Sequence, residues 1–229
     1  MDLNIFPSFF YSKQFILAFF TTLLVVSLLT WSILNSKIFN KFLDIPNQRS
    51  LHAKPTPKLG GLAIMTSVIF SAILYCTELL YLVPFLLALI ALSLLDDLVS
   101  VKPLIRLAIH FLTAITFLFA LDLQTNYLFL IILLFFLVWM INLYNFMDGS
   151  DGLAAGMSII GFGCYAILSI IIGDLDFAIF NIIIITACIG FLFFNFPPAK
   201  IFMGDTGSIP LGFLCGALGI IGWYKLLWP

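Results

Sequence analysis

The chain alternates between long apolar segments and short polar stretches. Each apolar segment has about twenty residues, the number that a helix needs to cross the hydrocarbon core of a bilayer. The segments are residues 15–34, 59–77, 79–95, 104–121, 126–144, 153–173, 177–196 and 209–228. Because an unpaired backbone group in lipid costs several kcal/mol, these segments are predicted to be α-helices. The pattern predicts an all-α, polytopic transmembrane bundle of about eight spans, with residues 1–229 forming a single integral membrane domain.

Composition supports the same class of protein. The chain is 63% hydrophobic and 9% charged, against about 25% charged residues in soluble domains. A soluble globular core is excluded, since these segments leave no polar faces for water to solvate. The first segment lacks a small-residue cleavage site around residues 32–35 and is therefore predicted to be a retained span, not a secretory signal.

Basic residues fall mainly on one side of the predicted topology. Eight lie on that side, namely Lys37, Lys41, Arg49, Lys54, Lys58, Lys102, Arg106 and Lys200. The other side has Lys13 and Lys225. The positive-inside rule makes the first side cytoplasmic and puts both termini outside the cytoplasm. The external turns, which carry Glu78, Asp122, Asp174 and Asp176, are expected to be plain solvated ends.

Six aspartates are predicted to lie in loops on the cytoplasmic side. They are Asp44, Asp96, Asp97, Asp148, Asp151 and Asp205. Asp96 and Asp97 follow a span at the unfavourable end of its helix dipole, where neighbouring carboxylates stay ionised most easily beside a cation. An exposed acidic turn is the alternative for this pair. Oxygen ligands suit Mg²⁺ or Mn²⁺ better than zinc, so the aspartates predict a divalent-metal site for phosphate chemistry.

Residues 142–154 form the most informative polar stretch. Asn142, Asn145 and Asp148 have helical spacing, which places two amides and a carboxylate along one helix edge. Asp151 opens the next helix, whose N-terminal amides favour anions. A helix cap is the alternative for Asp151 considered alone.

The remaining polar stretches add cations and glycines. His52 and Lys58 belong to a basic, proline-rich stretch that could meet phosphates or could only set the topology. Arg106 is predicted to share one helix face with His110, although it could simply snorkel to the interface. Glycines on both sides of Asp205 let the backbone approach a ligand. The four-residue spacing of Gly212 and Gly216 predicts a helix-packing face.

Four polar segments follow one another along the chain, namely residues 44–61, 96–97, 142–154 and 202–208. Together they resemble the polyprenyl-phosphate N-acetylhexosamine-1-phosphate transferases, or glycosyltransferase family 4. That family includes the phospho-N-acetylmuramoyl-pentapeptide translocase and the GlcNAc-1-phosphate transferases that start O-antigen and teichoic-acid synthesis. The wording of residues 142–149, with the Pro-Pro-Ala of residues 197–199, is most similar to the branch that initiates O-antigen or capsule.

The resemblance implies transfer of an N-acetylhexosamine-1-phosphate from a UDP-sugar to undecaprenyl phosphate, with release of UMP, to initiate a cell-surface polysaccharide. It implies Mg²⁺ as cofactor, with Mn²⁺ as a substitute, and a multi-pass location in the bacterial cytoplasmic (inner) membrane with the site facing the cytoplasm. The partners would be the UDP-amino-sugar, undecaprenyl phosphate and the bilayer, without nucleic acid; a homodimer remains open. Direct attack by the lipid phosphate is favoured over a covalent aspartyl route.

The resemblance also implies roles for individual residues. The metal ligands would be Asp205, Asn145 and Asp96. The catalytic residues would be Asp96, Asp97 and Asp148, with Asp97 orienting or deprotonating the lipid phosphate. Phe202 would stack on uracil beside Asp148, Gly149 and Asp151. The other substrate-binding residues would be Asn142, His52, Lys58 and Arg106.

Alternatives come from other classes of protein. Family members usually have ten or more spans and a His-rich loop near the C-terminus, which this sequence does not contain. A catalytically inactive or partial family member is therefore the alternative function. A CDP-alcohol phosphotransferase is disfavoured because Gly156 stands where its motif needs arginine. An intramembrane aspartyl protease or a transporter would place its ionisable groups within the spans.

Overall fold

The computed structural model describes residues 9–36, 41–46 and 54–228. Within them the chain forms helices α1 Lys13–Asn35, α2 Gly60–Tyr75, α3 Val83–Val99, α4 Pro103–Leu121, α5 Tyr127–Met147, α6 Leu153–Ile172, α7 Leu175–Asn195 and α8 Asp205–Tyr224. A 3₁₀ turn, Leu80–Leu82, leads into α3. Strands β1 Leu43–Asp44 and β2 Thr56–Pro57 form a small antiparallel sheet that pairs Leu43 with Pro57 and Asp44 with Thr56.

The predicted all-α architecture is confirmed. In the described part of the chain, seven helices are long and apolar enough to cross a membrane, counting the 3₁₀ turn with α3. The other helix, α2, has 16 residues and a length of about 24 Å. It begins two residues after Lys58 and ends three residues before Glu78, which belong to opposite ends of the bundle.

Short polar residues start several helices where the hydropathy pattern changes. The Ser12 hydroxyl accepts a hydrogen bond from the Phe15 backbone at the start of α1. The Asn126 side chain does the same for Phe129 in α5. Such caps satisfy backbone donors that the first helical turn leaves without partners. A proline occupies the first turn of α3 and of α4, where its missing N–H costs nothing.

Three of the predicted loop aspartates lie in helices. Asp96 and Asp97 are in the last two turns of α3, which continues to Val99. Asp205 is the first residue of α8, four residues before the predicted start of that span. The prediction of loops was wrong here because charged residues end an apolar window without ending a helix. Each of the three carboxylates is paired with a nearby cation, Lys58 or Arg106.

The last helix, α8, is the centre of the bundle. It packs against α2, α3, α5 and α6, while α1 lies outside α2 and α7. Gly212 and Gly216 face α5, and a Cβ added at Gly212 would come within 2.6 Å of the Met140 carbonyl oxygen. The predicted helix-packing role of this glycine pair is therefore confirmed. Asp205, at the start of α8, stands on the most buried of the seven long helices in the described residues.

Ion pairs lie at both ends of the bundle. At the far end, the Lys225 ammonium lies 3.2 Å from Glu78 and 2.7 Å from Asp174. We call these three residues the Lys225 triad. It joins the turn after α2, the turn before α7 and the end of α8, beside a cavity of about 430 Å³. The expectation that Glu78 and Asp174 are plain solvated ends was therefore wrong.

Candidate functional site

At the opposite end, which we call the polar end, Arg106 lies between two carboxylates. Its Nη1 donates to Asp96 Oδ2 at 2.6 Å, and its Nη2 donates to Asp205 Oδ2 at 2.6 Å. We call these residues the Arg106 triad. It brings together the end of α3, the first turn of α4 and the start of α8. Charge-assisted bonds to a planar guanidinium are among the stronger polar contacts in proteins.

The second oxygens of both triad carboxylates also have partners. Asp96 Oδ1 accepts from the Val101 backbone N–H at 2.8 Å. With its amide oriented to match both neighbours, Asn145 donates to Asp205 Oδ1 at 3.0 Å and accepts from Arg106 Nη2 at 3.1 Å. The predicted neighbours Asp96, Asn145 and Asp205 thus lie together. In this structure, the group that lies between Asp96 and Asp205 is the Arg106 guanidinium.

A second ion pair lies beside the triad. The Lys58 ammonium donates to Asp97 Oδ1 at 2.6 Å, and the Asp97 side chain is only 9% exposed. Asp97 Oδ2 is buried and has no hydrogen-bond partner among the described residues. A buried carboxylate oxygen without a donor is costly. Asp97 therefore has one paired oxygen and one oxygen that no described residue satisfies.

Backbone pairing fixes Lys58 in this position. The Phe202 N–H donates to the Pro57 carbonyl at 2.7 Å, and the Gly60 N–H donates to the Phe202 carbonyl at 2.9 Å. Gly204 has φ +68° and ψ 174°, a conformation that is open essentially only to glycine. A Cβ there would come within 2.3 Å of the Lys58 carbonyl oxygen. The first and fourth predicted segments are thus one structural unit.

The donor chemistry at the polar end fits Mg²⁺. Three carboxylates, Asp96, Asp97 and Asp205, face two cations, Lys58 and Arg106, so one negative charge is left over. Among the described residues, no group of three or more His, Cys, Asp or Glu side chains has metal-site spacing. Mg²⁺ does not require such a cage, because it is usually held by one or two carboxylates, water and substrate phosphates.

A cavity of about 1150 Å³ opens next to the ion pairs. Its lining includes Lys58, Asp148, Gly149, Asp151 and Phe202, which brings five predicted site residues around one space. Burial raises the pKa of the Asp148 carboxyl to about 8; a hydrogen bond from the Gly204 backbone opposes this shift, and the Asp205 carboxylate adds to it. A carboxyl that stays protonated at neutral pH can donate a hydrogen bond.

The cavity wall is held by a residue that the sequence analysis did not single out. The Asn195 side chain accepts from the Gly152 N–H at 2.8 Å and donates to the Ile201 carbonyl at 2.8 Å. Asp151 Oδ2 accepts from the Ala199 N–H at 2.9 Å. Both side chains connect the α5–α6 turn to the α7–α8 turn. An asparagine at a helix end before two prolines was the only signal in the sequence.

The other candidate residues have different surroundings. Asn142 is exposed, and its amide donates to the Val138 carbonyl of its own helix at 2.7 Å. His52 lies outside the described residues. His110 is buried on α4, one turn beyond Arg106, and neither ring nitrogen has a hydrogen-bond partner in the described ranges.

Fold and site together define a polytopic helical membrane protein with a carboxylate-rich site at one end of its bundle. Residues 79–223 match the family model described as "Glycosyl transferase family 4". The chain is also 30% identical to the phospho-N-acetylmuramoyl-pentapeptide-transferase of Staphylococcus carnosus (strain TM300), over 90% of this chain and 74% of that relative. The chain belongs to glycosyl transferase family 4.

Two further similarities agree with this assignment. The chain is 33% identical to a probable undecaprenyl-phosphate N-acetylglucosaminyl 1-phosphate transferase of Bacillus subtilis (strain 168), over 93% of this chain. It spans 64% of the length of that relative. It is also 46% identical over 96 residues to the phospho-N-acetylmuramoyl-pentapeptide-transferase of Staphylococcus aureus, which covers 42% of this chain and 30% of the relative.

Proposed function

We propose that the protein transfers an N-acetylhexosamine-1-phosphate, or a related amino-sugar-1-phosphate, from a UDP-sugar to undecaprenyl phosphate. UMP is released, and the product begins a cell-surface polysaccharide. The observation that carries this proposal is the meeting of the Arg106 triad, the Lys58–Asp97 pair and the large cavity at one end of the bundle. A site for two phosphorylated substrates needs such a combination of cations, carboxylates and space.

In the proposed reaction, a phosphate oxygen of the lipid attacks the β-phosphorus of the UDP-sugar. The bond between that phosphorus and the bridging oxygen breaks, and UMP leaves with the bridging oxygen. Both reactants are anionic, so positive charge must offset their repulsion. Lys58, which lines the cavity, and Arg106 supply part of this charge. Asp97, which we propose orients the lipid phosphate, is paired with Lys58 through Oδ1.

Enzymes of this family generally depend on Mg²⁺, which when bound would neutralise developing charge on phosphate oxygens. Asp205 and Asp96 would hold the ion, and Asn145 would orient Asp205. Asp148, Gly149 and Phe202 would border the uridine, with the Phe202 ring stacked on uracil. The uridine roles rest on the residues that line the cavity. The metal roles rest on the contacts within the Arg106 triad and on family membership.

We place the site at the cytoplasmic face of a bacterial inner membrane, with both termini on the other side. The bias of Lys and Arg toward the polar end supports this orientation. The arrangement is also chemically sensible, since nucleotide sugars are water-soluble and the acceptor phosphate belongs to a lipid.

The test is release of UMP by the purified protein in detergent or lipid. The protein would receive undecaprenyl phosphate, Mg²⁺ and, in turn, UDP-GlcNAc and other UDP-amino-sugars. We expect UMP release that requires the lipid and that stops on addition of EDTA. Formation of a lipid-linked pyrophosphoryl sugar, seen by mass spectrometry, would distinguish transfer from simple hydrolysis of the nucleotide.

An inactive or partial family member is the second candidate. The chain spans 64% of the length of the Bacillus subtilis relative, so part of that relative has no counterpart here. Folded protein that releases no UMP with any of the UDP-sugars would favour this candidate. Detection of UDP-sugar binding without turnover would assign it a binding role.

A further inference from the structure

The group at the centre of the Arg106 triad occupies the position in which the proposed function needs a divalent cation. Arg106 bonds Asp96 through Nη1 and Asp205 through Nη2, both at 2.6 Å. Val101 and Asn145 occupy the remaining oxygens of the two carboxylates. Every carboxylate oxygen in the triad therefore has a donor from the protein.

A guanidinium and a metal ion cannot use these oxygens in the same way. Arginine is always protonated and has no lone pair to offer, so it cannot become a ligand. A divalent cation approaching Asp96 and Asp205 would meet a fixed positive charge at a few ångströms, in surroundings that screen charge less well than water. The bidentate bridge would therefore have to open before the ion could bind both carboxylates.

The bridge also has a use before any ion arrives. Without it, Asp96 and Asp205 would face each other as like charges in a partly buried position, with side chains 16% and 28% exposed. Repulsion would then favour separation of the ends of α3 and α8. Lys58 cannot replace Arg106 in this position, because its ammonium is paired with Asp97.

Part of the Arg106 side chain is open to solvent. Arg106 lies in the first turn of α4, directly after the connection from α3, and its side chain is 24% exposed. Rotation about its side-chain bonds would move the guanidinium without shifting the helix. Once released, the planar fork of donors would match a phosphate group, which it can bind through two oxygens.

We propose that Arg106 is a placeholder cation, which holds Asp96 and Asp205 together until a divalent ion displaces it and frees its guanidinium for a substrate phosphate. This inference rests on the proposed function, since it presumes a divalent ion at the polar end. It makes Arg106 a positioning residue whose loss strengthens metal binding. If Arg106 instead supported the bound metal, its loss would weaken metal binding. A role in substrate binding alone would leave the guanidinium equally accessible with and without the metal ion.

The first experiment measures Mn²⁺ affinity without substrates, by electron paramagnetic resonance of the free ion. Arg106→Gln should bind Mn²⁺ about tenfold or more tightly than the unsubstituted protein, because the competing charge is gone. Arg106→Lys should fall between them, since lysine keeps the positive charge but lacks the planar fork that reaches each carboxylate through a separate nitrogen. Adding Asp205→Asn to Arg106→Gln should remove the gain. Size-exclusion profiles and melting curves would confirm that each variant is folded.

Lys225→Gln is the matched control at the far end. Lys225 also lies between two carboxylates, so its removal changes the net charge by the same amount as Arg106→Gln. We expect Mn²⁺ affinity at the polar end to stay within about twofold of the starting value, because the far end lies beyond the reach of unscreened charge. An equal gain in this control would overturn the proposal, since it would reveal a general charge effect.

The second experiment follows the guanidinium itself. Arg49 and Arg106 are the only arginines in the sequence, so Arg49→Lys leaves one arginine for reaction with phenylglyoxal. We expect Mg²⁺ to accelerate formation of the Arg106 adduct, measured by mass spectrometry, because displacement exposes the group. Samples that contain EDTA in place of Mg²⁺ should react most slowly. As a control on the reagent, the reaction of phenylglyoxal with acetylarginine should not depend on Mg²⁺.

Three outcomes would overturn the placeholder role. They are unchanged or weaker Mn²⁺ binding in Arg106→Gln, the absence of Mn²⁺ binding in both forms, and slower modification of Arg106 with Mg²⁺. None of them decides the transferase proposal, which is tested separately by UMP release. Conversely, tight Mn²⁺ binding by Arg106→Gln in a protein that releases no UMP would retain the placeholder and reject the transfer activity.

Discussion

Each end of the helix bundle holds one cation between two carboxylates, yet the two ends differ in what surrounds that cation. The carboxylates of the Arg106 triad lie within helices, with side chains 16% and 28% exposed. In the Lys225 triad, Glu78 is 57% exposed and both carboxylates lie in turns. The far end has the geometry of a surface clamp, whereas the polar end is enclosed by four connections and a large cavity.

The second difference is whether polar atoms are satisfied. At the far end, Asp174 Oδ2 holds Lys225 while Oδ1 accepts from the Phe177 N–H at 3.0 Å and caps α7. At the polar end, Asp97 Oδ2 is buried without a donor from the described residues. The comparison teaches that a cation between two acids is not by itself a functional site. The unfilled acceptor beside it is the better indicator.

The largest effect is expected from neutralising a carboxylate at the polar end, compared with the same change at the far end. Asp205→Asn should lower UMP release by at least about a hundredfold, because a carboxylate that offsets a metal charge is lost. Glu78→Gln is the matched control and should stay within about twofold. Rates would be measured with UDP-GlcNAc or whichever UDP-sugar is used best. Equal losses in both variants would erase the functional distinction between the ends.

Gly204→Ala tests how the polar end is built. The new methyl group would collide with the Lys58 carbonyl oxygen in a backbone conformation that disfavours alanine. We expect a loss of about 1–3 kcal/mol in the free energy of unfolding, and UMP release lower by on the order of a hundredfold if the two segments shift by about 1 Å.

Gly156→Ala provides the control for that substitution. Gly156 lies in α6, and a Cβ there would meet nothing within 4 Å. Alanine should stabilise the helix by up to about 1 kcal/mol and leave UMP release unchanged. Melting curves in detergent would compare the two variants. A neutral Gly204→Ala would contradict the close approach on which the site model depends.

Lys225→Met should affect stability alone. Its ion pairs are partly exposed, so we expect a loss of about 0.5–1 kcal/mol. The melting temperature should fall by roughly 1–4 °C. UMP release at a temperature well below melting should change less than twofold. A loss of turnover without a loss of stability would instead connect the far end to the reaction.

The last prediction concerns the dependence of stability on pH. The pKa of Asp148 is raised from 3.8 to about 8 by burial, so the folded protein binds a proton there that the unfolded chain releases. Stability therefore falls as pH rises between these two values. Asp148→Asn lacks this dependence. Melting temperatures in EDTA should show the unsubstituted protein losing stability relative to Asp148→Asn from pH 5 to pH 8; parallel curves would contradict the raised pKa.

The spans could be predicted because a segment of about twenty apolar residues is long enough to cross the hydrocarbon core of a bilayer. Each predicted segment corresponds to a helix, including α2. The end of α3 and the start of α8 could not be placed as well, since Asp96 and Asp205 lie inside these helices and pair with Arg106 of a different helix. That arginine is 99 residues from Asp205 along the chain. No local pattern records such a pairing.

Which candidate residues lie close together was easier to predict from the sequence than which hydrogen bonds they make. Asp148, Gly149 and Phe202 were grouped by motif, and the structure places them around one cavity. The bridging position of Arg106 and the cross-link made by Asn195 depend on how separate helices dock. A hydrogen-bond partner is chosen by three-dimensional packing, and a single sequence contains that information only implicitly.

The central position of α8 affects how ligands can be detected. This helix begins with Asp205 and packs against α2, α3, α5 and α6. An ion or nucleotide that binds near its first turn would therefore stabilise the whole bundle, by an amount set by ligand concentration relative to the dissociation constant. Ranking UDP-sugars by the rise in melting temperature would then identify the donor before any acceptor lipid is supplied.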